Sequence, residues 1–105
     1  MIRPEVARLI ERGPLPLEDA ATEGQLAALE HALAGCPRPV TPEEARALLR
    51  LFGPDDCYGL AWSLLHLVET APGGYVGERP PDEDANEWQW RLWKRWLRAQ
   101  EDRGG

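Results

Sequence analysis

The sequence is poor in the residues that build sheets. Valine, isoleucine and threonine together number nine in 105 residues. Nowhere do they alternate with polar residues at the period of two that a strand requires. There is also no apolar run near the roughly 18 residues that a membrane-spanning helix needs. Cysteine occurs twice, at Cys36 and Cys57, too few for a zinc site or a disulfide framework. Both are expected as reduced thiols packed as small apolar groups. Glycine-rich phosphate loops are missing, since Gly73 and Gly74 precede neither a lysine nor a helix start of the required form. These absences exclude a β fold, a membrane channel and a P-loop enzyme.

What remains is a helical vocabulary with an uneven charge. At 43% apolar and 29% charged residues, the chain reads as one globular domain large enough for its own core. Lys94 is the sole lysine beside 11 arginines, a bias that points to a high-GC bacterial source. The net charge is −6, yet residues 1–87 hold 16 acidic and 7 basic side chains, while residues 88–105 hold 2 and 5. The acidic body opposes nucleic acid and anionic membrane, and suits a basic protein partner. The first residues lack the apolar h-region of a secretory signal, so the expected location is cytoplasmic.

Five helices are expected, with prolines and glycines as punctuation. The first begins at Pro4 and carries Val6, Leu9 and Ile10 on one face. The connector at residues 13–17 should tuck in Leu15 and Leu17. Thr22 and Gln25 have the spacing of a capping box for the second helix, and Gly35 is placed to close it in a left-handed cap. Thr41, Pro42 and Glu44 open the third helix, whose Ala45, Leu48, Leu49, Leu51 and Phe52 gather on one side. A fourth helix over 55–70, capped by Asp55 or Asp56, is apolar around nearly its whole circumference and should form the centre of the domain. A Gly/Pro-rich loop spans 72–81. A fifth helix over 84–100 then packs across the fourth, with 101–105 as a frayed tail.

That fifth helix holds Trp88, Trp90, Trp93 and Trp96 within nine residues. At about 100° per residue, with Trp88 at the origin, its apolar residues cover an arc of about 200°. One neighbouring helix buries roughly half of that. The surplus has three explanations: a groove between two helices, a partner or homodimer contact at Trp88 or Trp90, or a membrane interface. Arg91, Lys94, Arg95 and Arg98 fill the opposite side.

Gly59, Ser63, His66 and Thr70 form a narrow polar stripe on the fourth helix. It reads either as a small polar pocket with His66 as acid, base or ligand, or as room for close helix approach. Ser63 and His66 lack oxyanion donors. Asp56 and His66 stand about 15 Å apart along a helix, so they cannot share an ion. The trio Asp82, Glu83 and Asp84 lacks the register of a calcium loop. No metal or cofactor is expected.

Residues 51–72 (LFGPDDCYGLAWSLLHLVETAP) resemble a stretch found in small all-helical bacterial proteins of the immunity and interaction type. The resemblance rests on the GPDD turn and the LLHLVETAP run. It implies a binding protein and no catalytic residues. The expected function is therefore non-enzymatic: an acidic module that binds a basic protein, in its sharpest form a toxin or nuclease. Glu43, Glu44, Asp55, Asp56, Asp82, Glu83 and Asp84 would supply the acidic face, joined by Trp88 and Trp90. The alternatives are a homo-oligomer or complex subunit joined through tryptophan surface, and a small enzyme using His66.

Overall fold

The computed structural model describes residues 2–53, 55–72, 81–83 and 85–104, with side chains described to residue 101. Most of the 72–81 loop, and Asp84, lie outside the described residues. Five helices follow one another: α1 (Pro4–Arg12), α2 (Glu23–Ala34), α3 (Pro42–Leu48), α4 (Leu60–Glu69) and α5 (Glu87–Gly104). No strand occurs among the described residues. The fold is a single all-α domain.

Capping chemistry sets the two clearest helix starts. Thr22 Oγ1 accepts from the Gln25 N–H at 3.1 Å while Gln25 Oε1 accepts from the Thr22 N–H at 2.9 Å. The same reciprocal pair joins Thr41 and Glu44 at 3.1 and 2.8 Å. Each satisfies two backbone donors that a helix end otherwise leaves open. Glu44 goes further. Its side chain is fully buried, and it also accepts from the Arg3 N–H and from the Arg3 guanidinium. A local cap has thus become the tie between the start of α1 and the start of α3.

α4 is the central helix, packing against α2, α3 and α5. Leu60, Ala61, Leu64, Leu65, Leu67 and Val68 are buried there, together with Val6, Leu9, Leu29, Leu33, Leu48 and Leu92 from the other helices. It is not buried all round, however. Trp62, Ser63 and His66 are exposed. The polar stripe marks the solvent side of the helix, and Trp62 stands at its edge, with Trp88 and Arg91 of α5 against its ring. Thr70, at the end of the stripe, donates to the Leu67 carbonyl at 2.7 Å and accepts from the Val40 N–H at 3.0 Å.

Several boundaries differ from the sequence expectation. α3 tightens into a 3-10 turn at Leu49–Leu51, and the Leu51 carbonyl accepts from Leu15 N–H at 2.8 Å. Leu15 is buried, but Leu17 is half exposed. Gly35 closes α2 with φ −79° and ψ −11°, ordinary right-handed values. α4 begins at Leu60 rather than near Asp55, because Cys57, Tyr58 and Gly59 have φ of 47°, 54° and 89°. α5 begins at Glu87, not in the acidic trio. Asn86 precedes it, with Oδ1 accepting from Trp88 N–H at 2.7 Å and Nδ2 donating to the Gly53 carbonyl at 2.8 Å. One amide therefore both caps α5 and fastens it to the end of the α3 segment. The helix also continues to Gly104 through the expected tail.

Candidate protein-interaction surface

The left-handed turn before α4 produces the most distinctive surface feature. Glycine adopts such φ values freely, but Cys57 and Tyr58 carry a Cβ that clashes there, at roughly 1–2 kcal/mol per residue. Hydrogen bonds hold the turn against that cost. Asp55 Oδ1 accepts from Cys57 N–H at 3.1 Å and Asp55 Oδ2 from Glu18 N–H at 3.1 Å. The Asp56 carbonyl accepts from the N–H groups of Gly59 and Ala61 at 3.0 and 3.1 Å. Glu18 Oε1 accepts from Tyr58 N–H at 3.1 Å, and the Tyr58 hydroxyl donates to the Glu18 carbonyl at 3.2 Å. Tyr58 is 65% exposed even so. It is a fixed aromatic side chain standing in solvent.

Three carboxylates, of Glu18, Asp55 and Asp56, accept from backbone N–H groups of this turn and its anchor. The Tyr58 N–H bond pulls the Glu18 carboxyl down, but its bond to Asp56, desolvation and the charges of Asp55 and Asp56 leave it above its ordinary 4.5. The raised value records like-charge crowding. A cation placed here would relieve it.

The expected acidic face is only partly assembled. Asp55 and Asp56 belong to the Tyr58 cluster, together with Glu18, which sequence reasoning missed. Glu44 does not reach the surface: Arg3 and Thr41 hold it inside, and its carboxyl is lowered to about 2, chiefly by the Arg3 side chain. Glu43, Asp82 and Glu83 are exposed, while Asp84 lies outside the described residues. Tyr58 and Glu18 could be paired only through contacts 40 residues apart, for which the sequence carries no local signal.

The tryptophans divide unequally. Trp88 is 2% exposed and belongs to the core, stacked on Phe52 with ring centroids 6.0 Å apart, so it is not available as a contact residue. Trp90 is half-buried and donates its indole N–H to the Asp82 carbonyl at 3.2 Å. Trp93 and Trp96 stack on each other at 5.2 Å. The exposed tryptophan is Trp62, on α4, at 39%. Its ring meets Trp88 at 89° with centroids 5.1 Å apart. Arg91 lies over both, 4.3 Å from the Trp88 centroid and 5.4 Å from that of Trp62. Trp62, Arg91, Lys94, Arg95 and Arg98 line an open cleft of about 230 Å³.

The nucleophilic candidates are poorly placed for chemistry. Both cysteines are free and buried, and burial pushes both thiols up, away from the reactive thiolate. Ser63 and His66 are exposed, and no hydrogen bond joins them. Among the described residues no cluster of three or more His, Cys, Asp or Glu side chains is arranged to hold a metal ion, and no helix is long and apolar enough to cross a membrane. The chain matches no protein-family model, no curated protein and no solved structure.

Proposed function

We propose that this protein is a non-enzymatic binding module that captures a basic protein partner at Tyr58. The observation that carries the reading is a tyrosine held rigid by Glu18 on a left-handed backbone, while most of its ring remains in solvent. Tyrosine offers a large amphipathic contact area at low entropic cost, and binding hot spots are enriched in it. Strained backbone concentrates at functional sites. Glu18, Asp55 and Asp56, whose carboxylates hold the turn that carries Tyr58, favour lysine or arginine on the partner and steer its approach. The likeness of residues 51–72 to interaction proteins points the same way. Neutralising a basic toxin or nuclease is the sharpest form of the proposal, and the free thiols suit a reducing compartment such as the cytoplasm.

Quantitative affinity capture from source cells tests it, with wild type and Tyr58→Ala as parallel baits read by mass spectrometry. The proposal expects a basic protein enriched by wild type, lost with Tyr58→Ala and released by moderate salt. Equal capture by both baits would overturn it.

A further inference from the structure

The cleft on the far side of Trp62 has the opposite electrostatic character. Arg91, Lys94, Arg95 and Arg98 stand at i, i+3, i+4 and i+7 on α5, forming one strip about 10 Å long at 1.5 Å per residue. Two of them are already paired: Arg91 with Glu87 at 2.6 Å, and Arg95 with Glu69 through bonds of 2.7 and 3.0 Å. Lys94 and Arg98 are exposed, and no ion pair joins either to a described side chain. At the base of the strip lies the apolar surface of Trp62, held at a right angle to buried Trp88. The floor is therefore held by the Trp88 contact, and the two exposed cations, Lys94 and Arg98, line the cleft with it.

We propose that this cleft docks an acidic segment of a partner protein, with carboxylates on Lys94 and Arg98 and an apolar side chain against Trp62. Charge complementarity selects the sign of the occupant. The floor selects its type, because inorganic phosphate would leave Trp62 unused. A nucleic-acid strand fits less well, because the chain's charge of −6 repels an extended polyphosphate backbone. A peptide confines its charge to the strip and brings its own apolar anchor. The site is distinct from the Tyr58 cluster and does not depend on it.

The test uses the full chain labelled with nitrogen-15, whose five tryptophans give separate indole N–H signals, with that of Trp62 assigned by Trp62→Phe. The probe is a short glutamate-rich peptide containing one leucine, titrated at low salt. The expected result is a saturable shift of the Trp62 signal, weakened about tenfold or more in the double variant Lys94→Glu/Arg98→Glu and unchanged in Tyr58→Ala. A lysine-rich peptide of the same length should leave the Trp62 signal in place. Four results would each overturn the proposal. They are no Trp62 shift, equal affinity in the double variant, tighter binding of a single-stranded oligonucleotide than of the peptide, and a Trp62 shift with protein concentration alone, which would make a second copy the occupant.

Discussion

The Arg3 guanidinium grips the Glu44 carboxylate at two points, Nη2 to Oε1 at 2.8 Å and Nε to Oε2 at 3.1 Å, and Glu44 has no solvent exposure. This pair closes the contact between α1 and α3. Glu44→Ala leaves the Thr41 N–H and the Arg3 donors without their acceptor at a site where the Glu44 side chain has no solvent exposure. Stability should fall by on the order of 2–3 kcal/mol, read by urea denaturation with an unchanged slope.

The same pair sets an acid limit. The Glu44 carboxyl lies near 2 in the fold against an ordinary 4.5, so its contribution is complete above about 4.5 and declines as pH falls toward 2. Thermal melts of wild type should lose stability through that window. Those of Glu44→Gln should start lower and be flatter across it. Parallel curves for the two proteins would contradict the assignment.

Trp88 and Trp62 touch, yet they should respond differently to truncation. Trp88 fills the space between Phe52, Trp62 and Arg91 at 2% exposure, so Trp88→Ala should cost about 3–5 kcal/mol. Trp62 is 39% exposed and should cost about 1–2 kcal/mol, mainly its edge contact with Trp88. Chemical denaturation of the two variants reads the difference directly. Similar losses would place both rings in the core.

The left-handed turn predicts an inverted glycine pattern. Tyr58→Gly relieves about 1–2 kcal/mol of backbone strain and adds about 0.5–1 kcal/mol of unfolded-chain entropy. The variant also loses the hydroxyl bond to the Glu18 carbonyl, worth about 0.5–1.5 kcal/mol, so stability should stay within about 1.5 kcal/mol of wild type. Gly59→Ala meets no atom within 4 Å but must hold φ at 89°, so about 1 kcal/mol should be lost to strain alone. A stabilising Gly59→Ala, measured by thermal denaturation, would show that the turn is not left-handed in solution.

These residues also show what the sequence could reveal. The starts of α2 and α3 were readable because their capping partners lie three residues apart. The core of α4 was readable from its apolar period. Its beginning was not, since neither cysteine nor tyrosine favours a left-handed backbone and the bonds holding Tyr58 come from Glu18, 40 residues earlier. On α5 the apolar residues span an arc of about 200°, but the buried seam, Trp88 and Leu92, lies at about 0° and 40°, at one edge of that arc. Arg91 is consequently set against Trp88 of the core and Trp62 of α4, and the exposed ring belongs to a different helix. The pull of Arg3 on Glu44 was equally hidden: a capping glutamate looks like a surface acid until a partner 41 residues away covers it.

The most direct test of the central claim is the affinity of the captured partner, measured by titration calorimetry for wild type and Tyr58→Gly across salt and pH. Tyr58→Gly removes the ring, and thermal denaturation of the variant checks that the fold is retained. The account predicts a loss of about 2 kcal/mol or more, roughly thirtyfold in affinity. It also predicts weakening with added salt, and weakening as pH falls through the raised Glu18 carboxyl, whose protonation removes the charge the partner meets. An affinity indifferent to Tyr58→Gly, to salt and to acid would contradict recognition at Tyr58.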